Sequence, residues 1–224
     1  MQSRKTMRNE AKLSTNRFYR PQTIEKLANE LLTKFQARSQ PLAPPVQVER
    51  LAEDVLDLHI LWDVISERNN DTILAGLAPC QKTVIFNENR KTVFDGTPGL
   101  YRTVLAHEVG HWELHVDKVS VNQTGMPGMG EQLQFLFRSG KQSWDERNAH
   151  LFMSYLLVPQ ELLDPLIKRI QTFDWRFLYR LRDKFDVTIS VIRIRLERMG
   201  LLYVDKDGKI HRSRAEYEGQ MRMI

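Results

Sequence analysis

Five residues near the middle of the chain, His107-Glu108-Val109-Gly110-His111, have the types and spacing to do chemistry. Four residues carry a helix through about 400° and about 6 Å, so the two imidazoles leave one face and can share a metal ion. A glutamate directly after the first histidine points about 100° away from it. It is then free to take a proton from water activated by that ion rather than to bind the ion itself. The pattern implies a hydrolytic enzyme. The apolar approach Val104-Leu105-Ala106 and the glycine at 110 fit a helix packed in a core, not a chance match on a surface helix.

A hydrolytic site of this kind usually takes three protein ligands and keeps one position for water. The third ligand has three candidates. His115, at the next i+4 step, lies about 12 Å along the axis from His107, too far for one ion to bond both, and suits a capping or supporting role. Glu146, 35 residues beyond His111, falls on a helical stripe with Ala149, His150, Met153 and Leu157. A charge on such an inward stripe needs a partner, and a metal is a good one. Asp145 is the neighbouring alternative, turned about 100° off that stripe.

The string Ala106-His107-Glu108-Val109-Gly110-His111, then Glu146-Arg147-Asn148-Ala149-His150-Leu151-Phe152, ending in Leu156-Leu157-Val158-Pro159, resembles the ImmA/IrrE family of metallopeptidases. Its pattern reads approximately R-x-T-L-A-H-E-L-G-H and then E-x-x-A-N-x-F-A-x-x-L-L-M-P. Arg102 and Leu105 also match, and the order of segments agrees over about residues 22–205. The resemblance implies that His107, His111 and Glu146 bind the metal, zinc or alternatively manganese, and that Glu108 is the catalytic base. It implies a cytoplasmic endopeptidase that cleaves a helix-turn-helix transcriptional repressor and so releases genes for stress, DNA damage or a mobile element. One departure matters: the family usually has Asn four residues after the ligand glutamate, and this chain has His150. Its ring could orient His107 as an acceptor, or join the metal and close the open position.

The elements that must position these residues follow from periodicity. Ile24, Leu27, Leu31, Leu32 and Phe35 predict an amphipathic helix opened by Pro21 or Thr23. Pro41–Pro45 reads as a stiff link, Val46–Leu56 as a second helix, and Leu58–Val64 as a strand. Ile73–Ala78 and Lys82–Asn87 read as a hairpin around Pro79-Cys80-Gln81, and the second of these strands could pair with an extended substrate by β-addition. Thr97-Pro98-Gly99 predicts a helix start with Thr97 as N-cap, running to about His115. Gly125–Gly130 cannot be helical and is a candidate cover for the cleft. Phe135–Phe137 is a short strand candidate, and Ser143 would cap a helix over Trp144–Leu157. Tyr101, Arg102 and Tyr155 are candidate oxyanion donors, each more simply a packing or ion-pair residue.

Residues 174–200 fit a helix-turn-helix, with Asp186-Val187-Thr188 as turn, Thr188 as N-cap, and Ile189, Ile192, Leu196 and Met199 facing inward. Leu201–Val204 and Lys209–Ile210 flank a turn and suggest a small wing. The expected fold is α+β: a mainly helical zincin-like metallopeptidase domain with a small β-sheet, followed by a helix-turn-helix or winged subdomain. The expected boundaries are a basic disordered tail over 1–20, the peptidase over 21–160, the helix-turn-helix over 161–212 and a tail over 213–224.

Composition limits the alternatives. The chain of 224 residues is 42% hydrophobic and 27% charged, the balance of a soluble globular protein. No apolar run approaches the ~20 residues that span a bilayer, and no apolar segment follows the basic start as a secretory signal requires. A lone cysteine, Cys80, excludes an intrachain disulfide and points to the cytoplasm. Basic ends, with six Lys/Arg against one Glu in residues 1–20, flank an acidic middle and permit contact with nucleic acid. The competing reading is a DNA-binding regulator with a structural or sensory metal site, in which Ser190, Arg193 and Glu197 would face the major groove.

Overall fold

Over Pro21–Arg38 the three- and four-residue recurrence of apolar side chains winds into helix α1, with Ile24, Ala28, Leu31, Leu32 and Phe35 buried. The computed structural model of the chain describes residues 18–38, 41–67, 72–118 and 144–221. The end of the expected tail is already packed: Tyr19 Oη donates to the Leu114 carbonyl at 3.1 Å, and Phe18 meets Trp144 edge-on at 5.3 Å. Residues 1–17, the Gly125–Gly130 loop, the Phe135–Phe137 strand and the Ser143 cap lie outside the described residues.

Past the proline link, one helical turn, α2 (Val48–Arg50), widens into a π-helical stretch over Leu51–Val55, burying Val48, Leu51 and Ala52 and half-burying Val55. Three strands, β1 (His59–Asp63), β2 (Ala75–Ala78) and β3 (Thr83–Asn87), form a sheet in the order β1-β3-β2. β2 and β3 are the expected antiparallel hairpin, and β1 runs parallel to β3 with Leu61 opposite Ile85. The order corrects one expectation. β3 is the central strand with both edges paired, so it cannot take an extended substrate as a new strand.

A second correction concerns the start of the motif helix. Thr97 does not cap it; its N–H bonds back to the Phe94 carbonyl and closes an unforeseen short helix, α3 (Lys91–Gly96). Helix α4 (Leu100–His115) starts from Gly99, whose φ of 71° lies in the left-handed region. Glycine is required there twice over, because an added Cβ would stand 2.4 Å from the Val187 backbone. Helix α5 (Trp144–Leu157) crosses α4 where a Cβ on Gly110 would meet the Ala149 carbonyl oxygen at 3.1 Å and its Cα at 3.2 Å. That close approach brings the first turn of α5 over the histidine face of α4.

The remaining helices are α6 (Gln160–Ile167), α7 (Trp175–Phe185) and α8 (Ile189–Arg198), followed by an antiparallel hairpin of β4 (Tyr203–Val204) and β5 (Ile210–His211) and a last helix, α9 (Arg214–Met221). The turn between α7 and α8 falls at Asp186, φ 48°. Thr188 takes the N-cap position of α8 without a side-chain cap bond; its N–H donates instead to Thr103 Oγ1 of α4 at 3.1 Å. Ile192 and Leu196 are buried as expected and Ile189 and Met199 are half-buried, but Val191 and Arg195 are buried too. Arg195 Nε donates to the Val158 carbonyl at 2.9 Å and Nη2 to Glu25 at 2.8 Å, while the guanidinium lies 4.7 Å over the Tyr155 ring. Leu178, Leu181, Phe185 and Val187 belong to the same hydrophobic core as α1, α4 and α5. The molecule is mostly helical with small sheets, compatible with the α+β expectation.

Candidate metal centre

Four histidines and three carboxylates from α4 and α5 meet where the helices cross. His107 and His111 project from one face of α4, as i and i+4 positions must, and their Nε2 atoms stand 3.0 Å apart. Glu146, in the first turn of α5, reaches both: Oε2 lies 3.2 Å from His107 Nε2 and Oε1 lies 3.3 Å from His111 Nε2. Both imidazoles are buried, at 5% and 1% exposure. Burial pushes the two rings below the ordinary histidine range against the opposing pull of Glu146. Burial also raises the Glu146 carboxyl, but the hydrogen bonds and charges of His107 and His111 outweigh it and hold the group far below the usual carboxylate range. Two imidazoles and a carboxylate converging within hydrogen-bond distance form a donor set suited to a divalent cation, which would take the place of the shared protons.

Glu108 sits beside these groups in a different state. It is fully buried, and neither carboxylate oxygen has a hydrogen-bond partner. Burial, with a smaller contribution from the Glu146 charge, pushes its carboxyl up to about 8. Two acids near one another are thus driven apart, one firmly ionised and the other a proton carrier close to neutrality.

The other sequence candidates fall into place by contact. His150 packs its ring against His107, centroids 4.6 Å apart, and ligand atoms of His107, Glu146 and His150 lie within 4.8 Å of one another. Both sets of potential ligands share His107 and Glu146, and His111 is the closer third donor at 3.0 and 3.3 Å. His150 is exposed, yet desolvation of the ring against its neighbours, then the His107 charge, takes it down to about 4. His115 stands on the far side of His111 from Glu146, its Nδ1 meeting His111 Nδ1 at 3.1 Å. Asp145 faces His115, with Oδ1 3.4 Å from Nε2.

The three oxyanion candidates are engaged elsewhere. Tyr101 stacks on Phe86 at 4.6 Å. Arg102 donates to Asp186 at 2.8 Å, to the Val46 carbonyl at 3.0 Å and to Glu49 at 3.3 Å. Tyr155 lies under Arg195. Cys80 is exposed in its turn. On α8, Ser190 and Arg193 are exposed, but Glu197 is half-buried and accepts from the Val204 N–H at 3.1 Å. Only two of the three expected readers of a groove therefore present themselves.

Two imidazoles one helical turn apart, a carboxylate from a crossing helix and a buried glutamate beside them are the donor types and arrangement that metal-dependent peptidases use. Residues 95–197 match the family model described as Peptidase M78, IrrE N-terminal-like domain, and this similarity supports the resemblance to the ImmA/IrrE metallopeptidases. The match runs from the end of α3 through α4 and α5 and nearly to the end of α8. Comparison with curated proteins gives no match.

Proposed function

We propose that this protein is a zinc-type endopeptidase in which His107, His111 and Glu146 hold the metal and Glu108 is the catalytic base. The observation that carries the reading is the convergence of three donors within 3.0–3.3 Å beside a buried glutamate with no hydrogen-bond partner. The metal, when bound, supplies Lewis-acid polarisation of the scissile carbonyl and of water. Glu108 takes the water proton and passes it to the leaving amine. Its value of about 8 places it where it can both accept and return that proton, and a cation nearby would favour its ionised form. His150 backs the His107 ring in the position where the family usually has asparagine. Manganese is the alternative metal for the same donors.

The substrate in this reading is a helix-turn-helix transcriptional repressor, cut to release a stress, DNA-damage or mobile-element response. The site of action is the cytoplasm: the chain has one cysteine, and no helix among the described residues is long and apolar enough to cross a membrane. In this reading residues 21–160 carry the peptidase groups and residues 161–212 the helix-turn-helix pair, the two packed on one hydrophobic core. That pair would serve mainly to dock the substrate, because its turn is tied to α4 through Arg102 and Thr103.

The test is incubation with the repressor encoded nearby, plus zinc or manganese, and mass mapping of fragments. The wild type should give discrete fragments. Glu108→Gln should lower cleavage by about 10²–10⁴-fold while zinc retention, read by elemental analysis, stays unchanged. A DNA-binding regulator would instead keep its activity in Glu108→Gln and lose it in Arg193→Ala. Intact repressor with every metal would overturn the peptidase reading.

A further inference from the structure

We propose that His115 and Asp145 are positioning residues, forming a proton-ordered relay that fixes which nitrogen of His111 faces the metal. The inference rests on the metal-site reading above and deepens it. Its geometry is a line of three side chains. Asp145 Oδ1 lies 3.4 Å from His115 Nε2, and His115 Nδ1 lies 3.1 Å from His111 Nδ1. From there His111 Nε2 reaches His107 Nε2 at 3.0 Å and Glu146 Oε1 at 3.3 Å.

Two ring nitrogens 3.1 Å apart share one proton, so one of His111 Nδ1 and His115 Nδ1 donates and the other accepts. Asp145 decides which. A carboxylate facing Nε2 of a buried imidazole attracts an N–H and repels a lone pair, and His115 is only 2% exposed, with no hydrogen-bond partner at Nε2. The proton of His115 therefore sits on Nε2, its Nδ1 is bare, and that bare nitrogen accepts from His111 Nδ1–H. His111 is left with its lone pair on Nε2, the atom that stands among the other two donors. A ligating histidine held this way is both oriented and more basic.

The sequence spacing builds this line. Positions 107, 111 and 115 lie on one face of α4 at successive turns. Positions 145 and 146 of α5 differ by about 100°, so two adjacent carboxylates address different histidines. Glu146 takes the upper pair and Asp145 takes the lower one.

The experiment uses the full chain labelled with ¹⁵N at histidine. In the zinc-loaded wild type, nitrogen shifts should show His115 protonated at Nε2 and bare at Nδ1. Zinc affinity, measured by competition with a chromophoric chelator, should fall about 10–100-fold in His115→Phe and in Asp145→Ala. His115→Asn should recover most of it, since its amide oxygen stands near the lost Nδ1. Thermal melts without zinc, matching the wild type, would separate this loss from unfolding; if His115→Phe does not fold, the wild-type nitrogen shifts decide. A proton on His115 Nδ1, or unchanged zinc affinity in both variants, would overturn the relay while leaving the metal site standing. Failure of the wild type to retain zinc would overturn the metal-site reading and the relay with it.

Discussion

Glu146 is the residue on which the centre turns, because its carboxylate reaches both His107 and His111 from α5. Glu146→Ala should abolish tight zinc binding in the chelator competition while leaving the metal-free fold intact, since the side chain is near the surface of the crossing and not in its apolar interior. A second residue-scale expectation concerns Asp205. Its carboxyl accepts from His211 Nε2 at 2.7 Å and from the Lys209 and Asp207 N–H groups, and the His211 bond, first among these, holds it below the ordinary carboxylate range. A carboxyl lowered on folding stabilises the fold above its unfolded value of about 3.9, and that contribution disappears as pH falls through the lower folded value. The protection of the Lys209 amide, taken relative to its intrinsic exchange rate at each pH, should therefore hold at pH 6 and fall as acid approaches that lower range. At this scale the approach of His107 and His111 was readable from their i, i+4 spacing, while Glu146 stood among three candidates until the family resemblance singled it out. Asp145 was not readable, because its 100° offset argues it away from the site, and the partner it finds, His115, depends on how two helices cross.

At the scale of elements, the crossing of α4 and α5 hangs on the absence of one methyl group. Gly110→Ala would place a Cβ 3.1 Å from the Ala149 carbonyl oxygen and 3.4 Å from Phe152 Cβ. The helices must then part by a few tenths of an ångström. The expected outcome is a loss of about 1–3 kcal/mol in urea denaturation, with a several-fold loss of zinc affinity because Glu146 rides on the displaced helix. The motif helix, the glutamate helix and the hairpin were legible from periodicity and turn residues. The start of α4 was not. Thr97-Pro98-Gly99 carries the signs of a capped helix, yet the chain uses Gly99 to slip beneath Val187, a neighbour 88 positions away that local sequence cannot reveal. The placement of β3 between β1 and β2 is hidden for the same reason, since pairing of β1 is long-range.

On the scale of the whole molecule, the peptidase helices and the α7–α8 pair share one core, and Arg195 is the clearest tie between them. Its side chain is 3% exposed and pairs with a partly buried Glu25. Glu25→Ala should cost about 3 kcal/mol, because a buried cation loses its counter-charge; denaturant titration with an unchanged m-value is the check. Arg195 illustrates the limit of pattern reading here. An arginine on a helix that reads as a candidate groove binder looks like a surface charge, and only the Val158 carbonyl and Tyr155 ring beneath it explain its burial.

The Glu25–Arg195 contact also orders events during synthesis. The first helix leaves the ribosome some 170 residues before its arginine partner, so its acidic side chain waits, uncompensated, until translation is almost finished. A nascent chain halted after α5 leaves bare the apolar surface that Leu178, Phe185, Ile192 and Leu196 would cover, and a stop codon placed just beyond Pro159 would be expected to yield an aggregating fragment instead of a smaller working enzyme.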